Sequence, residues 1–469
     1  MRVAAWLGAS GWSRGVEPVG KATGRLRLFA LLLLLTLVAA ACGGGGGESG
    51  DESAGGTEGA TGGAGGSEVT SCEGDDAEAE VLVWGSRDYY LPPDQFEGLM
   101  EEFPNLTIST DVQSNDDILE QLQRMKDAGQ KMPDIVHDDT FLVEAYKEAG
   151  VVSPIDDLMA VWEQEEPEQY EAILPITWEE NQYDDQTYGM AIMSNYDIVY
   201  YNTPWFEEAG IEPPFETFDD LYQAMVKMKE SRPDSIPLTV QALAGEGVTT
   251  FKTVGSAMGV PFEGAVPDLQ SEAGLELIEF FQNAQSDELL PPEAISWGES
   301  EARAAFIRGD ADLIMDGITV AADFNEVGDF TYPEDWQTTV LPTQTDSTEG
   351  ERITSARTWM LTPDAQNRCA ALDVLQYIAD KDVLLDTLEG GAVPMRHTEA
   401  VDDPRMQEIL PLFTDELKDT YLEAGTVPAG LNSGEVEEVL EQLWGEIVTG
   451  TDASAQELAD KYQPQLDEL

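Results

Sequence analysis

Residues 188–210, YGMAIMSNYDIVYYNTPWFEEAG, are the stretch that most constrains how this chain can fold. An apolar run passes through Ser194, Asn195 and Tyr196 and continues as a segment of β-branched and aromatic residues, which is typical of a buried strand. Thr203 is then expected to cap a helix, because the proline that follows it fits the first helical position. We therefore expect one long strand that carries the chain from one half of the fold into the other.

Strand and helix signals alternate before this segment. Strands are predicted at residues 81–84, 107–112 and 134–137, and helices between them at residues 93–103 and 116–129. This alternation is typical of an α/β fold with a largely parallel sheet, in which ligands meet the loops at the carboxyl ends of the strands. A length of 469 residues is sufficient for two such lobes and a tail.

The second half of the chain carries further motifs in a recognisable order. AFIRGDAD at residues 305–312 is followed by MDG at 315–317, a long strand is predicted at 353–361, and GGAVPMR occupies 390–396. In this order and spacing, the motifs resemble those of the extracellular solute-binding proteins of ABC importers, family 1, the group that includes the maltose-binding protein. The resemblance extends from residue 81 to the end of the chain.

The resemblance implies a two-lobed periplasmic-binding-protein fold of type II. Each lobe would be a mostly parallel sheet flanked by helices, with residues 81–190 and 353–391 in lobe 1 and residues 191–345 and 395–469 in lobe 2. Three hinge crossings are expected. They lie at residues 188–210, at the strand predicted at 353–361 and at the GGAVPMR motif. Lobes that are joined by a few strands can rotate as rigid bodies and close over a ligand that contacts both of them.

The function implied by the resemblance is capture without chemical conversion. Such a protein would bind a carbohydrate, either a mono- or oligosaccharide or a polyol, and deliver it unaltered to the transmembrane subunits of an ABC permease. We expect a monomer that needs no cofactor and no metal. A binding protein for a polyamine or an anionic solute is the alternative within the same fold.

Candidate ligand-binding residues are chosen by their position on the loops and crossings that would face the cleft. Sugars combine apolar ring faces with hydroxyl groups, so a site for them needs aromatic, carboxylate, amide and guanidinium groups. The candidates are Trp84, Ser86, Arg87, Tyr89, Tyr90, Asp138, Asp139, Asn195, Trp297, Asp316, Thr319, Arg357, Trp359, Arg396 and Asn432. Core packing is the competing role for Trp84 and Trp359, and surface solvation is the competing role for aspartates such as Asp138 and Asp139. The arginines would either bind an anionic group, offset neighbouring acids or bridge the lobes.

Catalytic motifs give little support to an enzyme. His137 and His397 are the two histidines of the chain, and no P-loop or G-x-G-x-x-G fingerprint occurs. A secreted glycoside hydrolase is the alternative from another functional class, because 92 acidic residues make chance carboxylate pairs easy to find. We expect a binding protein and not an enzyme.

The charge of the chain restricts its partners. It contains 24 Lys and Arg against 92 Asp and Glu, a formal net charge of -68, which would repel nucleic acid. The acidic residues are spread along the whole chain, a pattern typical of a solvated surface in high salt, where screening removes self-repulsion. We therefore expect a halophilic or salt-tolerant source.

The N-terminal region is predicted to be a lipoprotein signal, at residues 1–42. Basic residues precede an apolar stretch at residues 28–41, which is too short to span a bilayer and is followed by Cys42. Lipidation of Cys42 would anchor the protein to the outer face of the cell membrane. Residues 43–80 are rich in Gly, Ser, Thr and Glu and are expected to form a disordered linker.

Two further cysteines follow, Cys72 at the end of the linker and Cys369 on a predicted helix. An oxidising exterior permits a disulfide between them. The family topology would place both on the same lobe. A disulfide and two free thiols therefore remain the alternatives.

Overall fold

The computed structural model describes residues 69–73, 78–85, 95–113, 118–245, 247–318, 320–321, 324, 330–389 and 396–469. Its strands are β1 (Ala79–Gly85), β2 (Leu106–Val112), β3 (Ile135–Asp139), β4 (Gln182–Tyr183), β5 (Gln186–Thr187), β6 (Met190–Asn202), β7 (Ile236–Thr239), β8 (Phe262–Glu263), β9 (Val266–Pro267), β10 (Ala311–Gly317), β11 (Trp336–Thr339), β12 (Ile353–Leu361) and β13 (Gly425–Thr426). Its α-helices are α1 (Glu97–Glu102), α2 (Ile118–Asp127), α3 (Val143–Ala149), α4 (Asp156–Glu165), α5 (Pro167–Ala172), α6 (Ile176–Glu179), α7 (Thr203–Ala209), α8 (Phe218–Ser231), α9 (Val248–Ala257), α10 (Glu272–Ser286), α11 (Glu299–Arg308), α12 (Arg368–Ile378), α13 (Lys381–Glu389), α14 (Thr398–Val401), α15 (Pro404–Ile409), α16 (Asp415–Glu423), α17 (Ser433–Thr449) and α18 (Ala455–Leu466). Short 3₁₀ helices cover Thr140–Leu142 and Ala294–Ser296.

The strand β6 joins the two halves of the fold, as the sequence predicts. Its first part pairs with β12, where Tyr196 lies opposite Thr354, and its second part pairs with β10, where Asp197 lies opposite Gly317. The helix that follows begins one residue earlier than expected, because the side chain of Asn202 accepts the cap hydrogen bond from the backbone of Trp205. Asn202, and not Thr203, is therefore the N-cap.

The main sheet has the strand order β2-β1-β3-β12-β6-β10-β7. The strand β1 is parallel to β2 and β3 in one half, and β7 is parallel to β10 in the other. The crossing strands β6 and β12 run in opposite directions between the halves and pair antiparallel with each other and with β10 and β3. Each half thus keeps the expected parallel strands, while the crossings make the sheet mixed.

Two large hydrophobic clusters pack the fold, and the first of them extends from lobe 1 along the crossing strands into lobe 2. Lobe 1 is built around β1 to β3, and its cluster includes Trp162, Trp178 and Trp359 and continues along β6 to Trp336. Lobe 2 is built around β7 and β10, and its helices α8 to α10 enclose a second cluster together with α17 and α18. Within the second cluster the rings of Phe281 and Trp444 meet edge to face, with centroids 4.6 Å apart.

The third crossing lies further along the chain than the sequence suggested. Residues 390–395 of the GGAVPMR motif lie outside the described residues. The segment that carries α14 to α16 is joined to lobe 1, because His397 forms a β-bridge with Ile173 and the Thr398 hydroxyl donates to the Ala172 carbonyl. Only then does β13 pair with β12, and the backbone of Val427 donates to Thr354 before the chain enters α17 in lobe 2. Residues 396–424 therefore pack with lobe 1, whereas the sequence had assigned 395–469 to lobe 2.

The end of the expected linker is attached to lobe 1. A disulfide joins Cys72 to Cys369 on α12, with the Cα atoms 5.5 Å apart, so the paired alternative is the one observed. The hydroxyl of Ser71 donates to Glu165 on α4 over 2.7 Å. The linker thus ends earlier than residue 80, since 69–73 contact the body and β1 begins at Ala79. The signal segment, with Cys42, and residues 43–68 lie outside the described residues. Among the residues that the structure does describe, no helix could cross a membrane.

Candidate functional site

A cavity of about 730 Å³ lies between the two lobes. Lobe 1 contributes residues 137–139 at the end of β3 and residues 141–142 after it, and lobe 2 contributes Gln241, residues 244–245 and 248–250, and the first turns of α17. The crossing strands contribute Met193 and Asn195 from β6 and residues 355–357 from β12. A solute in this cavity would contact both lobes and the strands that join them.

The wall on lobe 1 is formed by a charged group at the end of β3. Arg357 lies opposite Asp139 in the pairing of β12 with β3, and its Nη2 atom donates to the Asp139 carboxylate over 3.1 Å. Its Nη1 atom lies 3.7 Å from the carboxylate of Asp138, which also accepts a hydrogen bond from the Tyr146 hydroxyl. Burial, and then the neighbouring charge of Asp139, raise the pKa of Asp138 to about 6.

An amide lies at the point where β6 passes between the lobes. Asn195 is adjacent to Gly317 at the end of β10, and a Cβ atom on that glycine would lie 2.0 Å from the Asn195 Nδ2 atom. Only glycine can therefore stand at 317 while Asn195 keeps this position. Within the part of the chain that the structure describes, the buried Oδ1 atom of Asn195 has no hydrogen-bond partner.

Two carboxylates lie beside this amide on the lobe 2 side. Asp316 is held by Arg303, whose Nε atom donates over 2.8 Å and whose Nη2 atom donates over 3.1 Å. Asp197 accepts a hydrogen bond of 2.9 Å from the hydroxyl of Thr253. Burial, together with the nearby charge of Asp316, raises the pKa of Asp197 to about 6.

The lining of the cavity is rich in acidic side chains. Among the described residues, Arg357 is the one arginine that lines it. The acidic lining residues are Glu120, Asp138, Asp139, Asp197, Glu299, Asp316, Glu435, Glu437, Glu438 and Glu441. In the described part of the chain, no group of His, Cys, Asp and Glu side chains is arranged to hold a metal ion.

The sequence profile of the bacterial extracellular solute-binding proteins matches residues 86–383. The chain belongs to this family. As an extracellular solute-binding protein, it acts outside the cytoplasm. No curated protein sequence matches the chain significantly.

Solved structures of other solute-binding proteins share the fold. A maltose-bound MalE3 protein of T. maritima superimposes with a TM-score of 0.71 and 15% identity, over 83% of this chain and 99% of its own. A protein of Thermotoga lettingae bound to α-D-tagatose gives 0.69 and 16%, over 83% and 99%. A protein of Agrobacterium vitis with bound D-mannitol gives 0.67 and 16%, over 83% and 98%. At this identity the likeness shows the fold, and it confirms the two-lobed α/β architecture.

Five of the predicted ligand residues of this solute-binding protein line the cavity. They are Asp138, Asp139, Asn195, Asp316 and Arg357. Loop position predicted them because each lies at the end of a strand or on a crossing. Ser86, Arg87, Tyr89, Tyr90 and Thr319 lie outside the described residues.

The remaining candidates lie away from the cavity lining. Trp84 packs in a small cluster with α2 and α3, and Trp359 is fully buried with its ring stacked on His137, at a centroid distance of 4.2 Å. Arg396 is buried and binds Glu180. The half-buried Trp297 accepts backbone hydrogen bonds at its carbonyl, and the side-chain amide of Asn432 donates to the carbonyl of Leu469. For the two buried tryptophans, core packing is the role that the structure shows.

Several lining residues were missed by the sequence analysis. Phe141 follows the same strand end as Asp138 and Asp139, so the loop argument could have included it. Asp197 lies two residues after Asn195 on β6, and the period of two along a strand places both on one face. The glutamates of α17 gave no signal, because acidic residues occur throughout this chain.

Proposed function

We propose that this protein is the solute-binding component of an ABC importer, which captures a carbohydrate between its lobes and delivers it unaltered to the permease. The observation that carries the proposal is the cavity of about 730 Å³, lined from both lobes and from two crossing strands. Its volume falls within the range of roughly 300–1,000 Å³ that is usual for small-molecule sites. Contacts on both lobes would stabilise the closed form.

The lining chemistry suits a polyhydroxylated solute. Carboxylates accept hydrogen bonds from sugar hydroxyls, while the guanidinium of Arg357 and the amide of Asn195 offer donors and acceptors at fixed positions. Phe141 provides an apolar surface for a ring face. Proteins of the same fold have been solved with maltose, tagatose and mannitol. These features support a sugar or a polyol as the solute.

A cationic solute is the second candidate. The carboxylates of the lining greatly outnumber its arginine, and that arginine is already engaged by Asp138 and Asp139. This charge balance favours a polyamine over an anionic solute. Glycoside hydrolysis is not proposed, because the family to which the chain belongs binds solutes.

The proposal extends to the attachment of the protein. Cys42 would carry lipid and anchor the protein to the outer face of the membrane through residues 43–68. The protein would act there as a monomer. The disulfide at Cys72 supports an oxidising exterior, since such bonds persist there. The net charge of -68 supports a salt-rich environment.

A thermal-shift screen of the purified protein in high salt tests the solute class. The panel contains neutral sugars, polyols, sugar acids, and the polyamines putrescine and spermidine. A bound solute at about 100 times its Kd stabilises the folded state by roughly 2.7 kcal/mol, so a sugar or polyol should raise the Tm clearly. A rise with polyamines alone would replace the carbohydrate by a cationic solute, and no rise with any member would contradict both.

A further inference from the structure

Asp197 is a carboxylate of the interlobe cavity that lies at the hinge. The residue before it, Tyr196, still pairs with β12, whereas Asp197 pairs with Gly317 of β10. Its half-buried side chain lines the cavity. A solute group bound at Asp197 would therefore lie beside the strand that joins the two lobes.

The two carboxylate oxygens of Asp197 have different surroundings. The Oδ2 atom accepts a hydrogen bond of 2.9 Å from the Thr253 hydroxyl. Within the described part of the chain, no protein group donates to the Oδ1 atom, and this atom keeps surface that a bound molecule can reach. A carboxylate accepts hydrogen bonds at both of its oxygens, so Asp197 can receive a further donor from the solute.

Neighbouring carboxylates of the cavity are compensated by cations of the protein. Arg357 pairs with the two aspartates at the end of β3, and Arg303 donates two hydrogen bonds to Asp316. No described lysine or arginine forms an ion pair with Asp197. Arg303 acts on Asp197 through its charge, but its donors are directed to Asp316. The counter-charge of Asp197 is therefore missing from the described part of the cavity wall.

A charge in this position disfavours the folded state of the empty protein. Burial, and then the charge of Asp316, raise the pKa of Asp197 to about 6, so the carboxylate is still ionised at neutral pH. Glu435 and Glu438 of the same lining are exposed, so water solvates their charges. Perturbed carboxylates that line a cleft are common at functional sites, where a bound ligand can compensate them. A cationic group of the solute would supply what the protein does not.

The rest of the lining suits a hydroxylated body. Neutral side chains with hydroxyl or amide groups line the cavity at Asn195, Gln241, Thr249, Thr250 and Ser355. Such groups exchange hydrogen bonds with sugar hydroxyls, whereas a linear polyamine has no hydroxyls to offer them. The cavity therefore combines one uncompensated carboxylate at the hinge with a neutral polar lining.

We propose that the solute is a carbohydrate that carries a protonated amino group, and that Asp197 binds this group. The inference rests on the proposed carbohydrate function and adds a positive charge to the solute. An ammonium group has three donors, one of which is directed at the Oδ1 atom of Asp197. Hydrogen bonds between two charged groups are stronger than those between neutral ones. Asp197 is therefore the residue that distinguishes an amino sugar from its neutral parent.

The test compares matched sugars on the purified protein at about pH 7 by isothermal titration calorimetry. Each set contains a neutral sugar, its amino derivative and the N-acetyl form, in which the amine is uncharged. The sets are built on glucosamine, galactosamine, mannosamine and the disaccharide of glucosamine, with putrescine and spermidine as polyamines. In at least one set the amino sugar should bind ten or more times more tightly than both neutral forms.

The other outcomes separate this inference from the function on which it rests. Neutral forms that bind as tightly as the amino sugar in every set that binds overturn the amino group and leave the carbohydrate importer standing. Binding of polyamines alone, or of no sugar in any set, contradicts the proposed carbohydrate function itself.

One substitution assigns the preference to Asp197. Asp197→Asn keeps the shape of the side chain and an oxygen that can accept from Thr253, but it removes the charge. The variant should bind the amino sugar ten or more times more weakly and the neutral parent with less than about a threefold change. The matched control is Asp234→Asn, which removes the same charge from an exposed position of lobe 2 outside the cavity lining and should bind both sugars normally. A preference for the amino sugar that persists in Asp197→Asn, or an equal loss for both sugars, would overturn the assignment.

Discussion

The ammonium group of Lys252 on lobe 2 lies 4.8 Å from the centre of the Phe141 ring on lobe 1. Lys252 is almost completely buried and also pairs with Glu437 on α17. The contact therefore joins the two lobes beside the solute cavity, which both Phe141 and Glu437 line. It is made when the lobes are together and is lost when they separate.

Replacing Lys252 by Met should weaken solute binding. A buried cation–π contact of this kind contributes about 1–2 kcal/mol, so the Kd should rise about five- to thirtyfold because the closed form loses that contact. Titration calorimetry with the solute that the thermal screen identifies measures the change. The matched control is Lys461→Met, since Lys461 pairs with Glu446 and lies 4.7 Å from the Tyr462 ring entirely within lobe 2. Equal losses in both variants would argue against an interlobe role.

Arg396 stabilises the hinge by forming hydrogen bonds to both crossing strands, β6 and β12. Its guanidinium pairs with Glu180, donates to the Ala191 carbonyl and the Ser194 hydroxyl on β6, and donates to the Thr354 hydroxyl on β12. Arg396→Met leaves the buried Glu180 carboxylate without its counter-charge, so the free energy of unfolding should fall by about 3–5 kcal/mol. Urea denaturation measures this fall.

A second substitution distinguishes charge from packing at this position. The double variant Arg396→Met with Glu180→Leu removes both charges and should recover most of the lost stability, because no ion is then left buried. The exposed pair Arg124–Glu120 is the control, and Arg124→Met should change the stability by less than about 0.5 kcal/mol. A double variant as unstable as Arg396→Met alone would show that the hydrogen bonds to the strands, and not the ion pair, are decisive.

The crossing strand β6 could be predicted because its signal is local. A run of apolar and aromatic residues from 190 to 202 has one plausible structure, a strand buried in the sheet. The candidates at Trp84 and Trp359 illustrate the limit of that approach. Each lies at the end of a strand or on a crossing, but the side to which a side chain points depends on pleat and register, which loop position does not supply.

The role of Arg396 and the third crossing depend on partners that are distant in sequence. Glu180 lies 216 residues from Arg396, and no local pattern connects the two. Likewise, Gly and Pro occur both in the GGAVPMR motif and at residues 425–428. The crossing lies at the second of these because the segment that carries α14 to α16 first contacts lobe 1 at Ala172 and Ile173, and a glycine motif cannot encode such tertiary contacts.

The raised pKa of Asp197 makes stability depend on pH. An unfolded aspartate has a pKa near 3.9, and folding raises that of Asp197 to about 6, so the folded state holds the proton more tightly. Its contribution to stability is fully present below about pH 4 and is lost as the pH rises through 6. The gain in the free energy of unfolding from Asp197→Asn should therefore be about 2 kcal/mol larger at about pH 7.5 than at about pH 4.5.

Urea denaturation at these two pH values checks the difference. The exposed Asp234 on the same lobe provides the control, and Asp234→Asn should give the same small change at both pH values. A gain from Asp197→Asn that does not vary with pH would contradict the titration of this carboxylate in the folded protein.

Gly317 should be essential for solute binding although it carries no side chain. Gly317→Ala places a Cβ atom 2.0 Å from the Nδ2 atom of Asn195, so the amide must leave its position in the cavity. Loss of a fixed hydrogen-bonding group that the solute uses should weaken binding by roughly tenfold. Gly434 lines the same cavity but has no atom within 4 Å of its would-be Cβ, so Gly434→Ala should bind normally. Titration calorimetry on both variants separates the two cases, and normal binding by Gly317→Ala would remove Asn195 from the solute site.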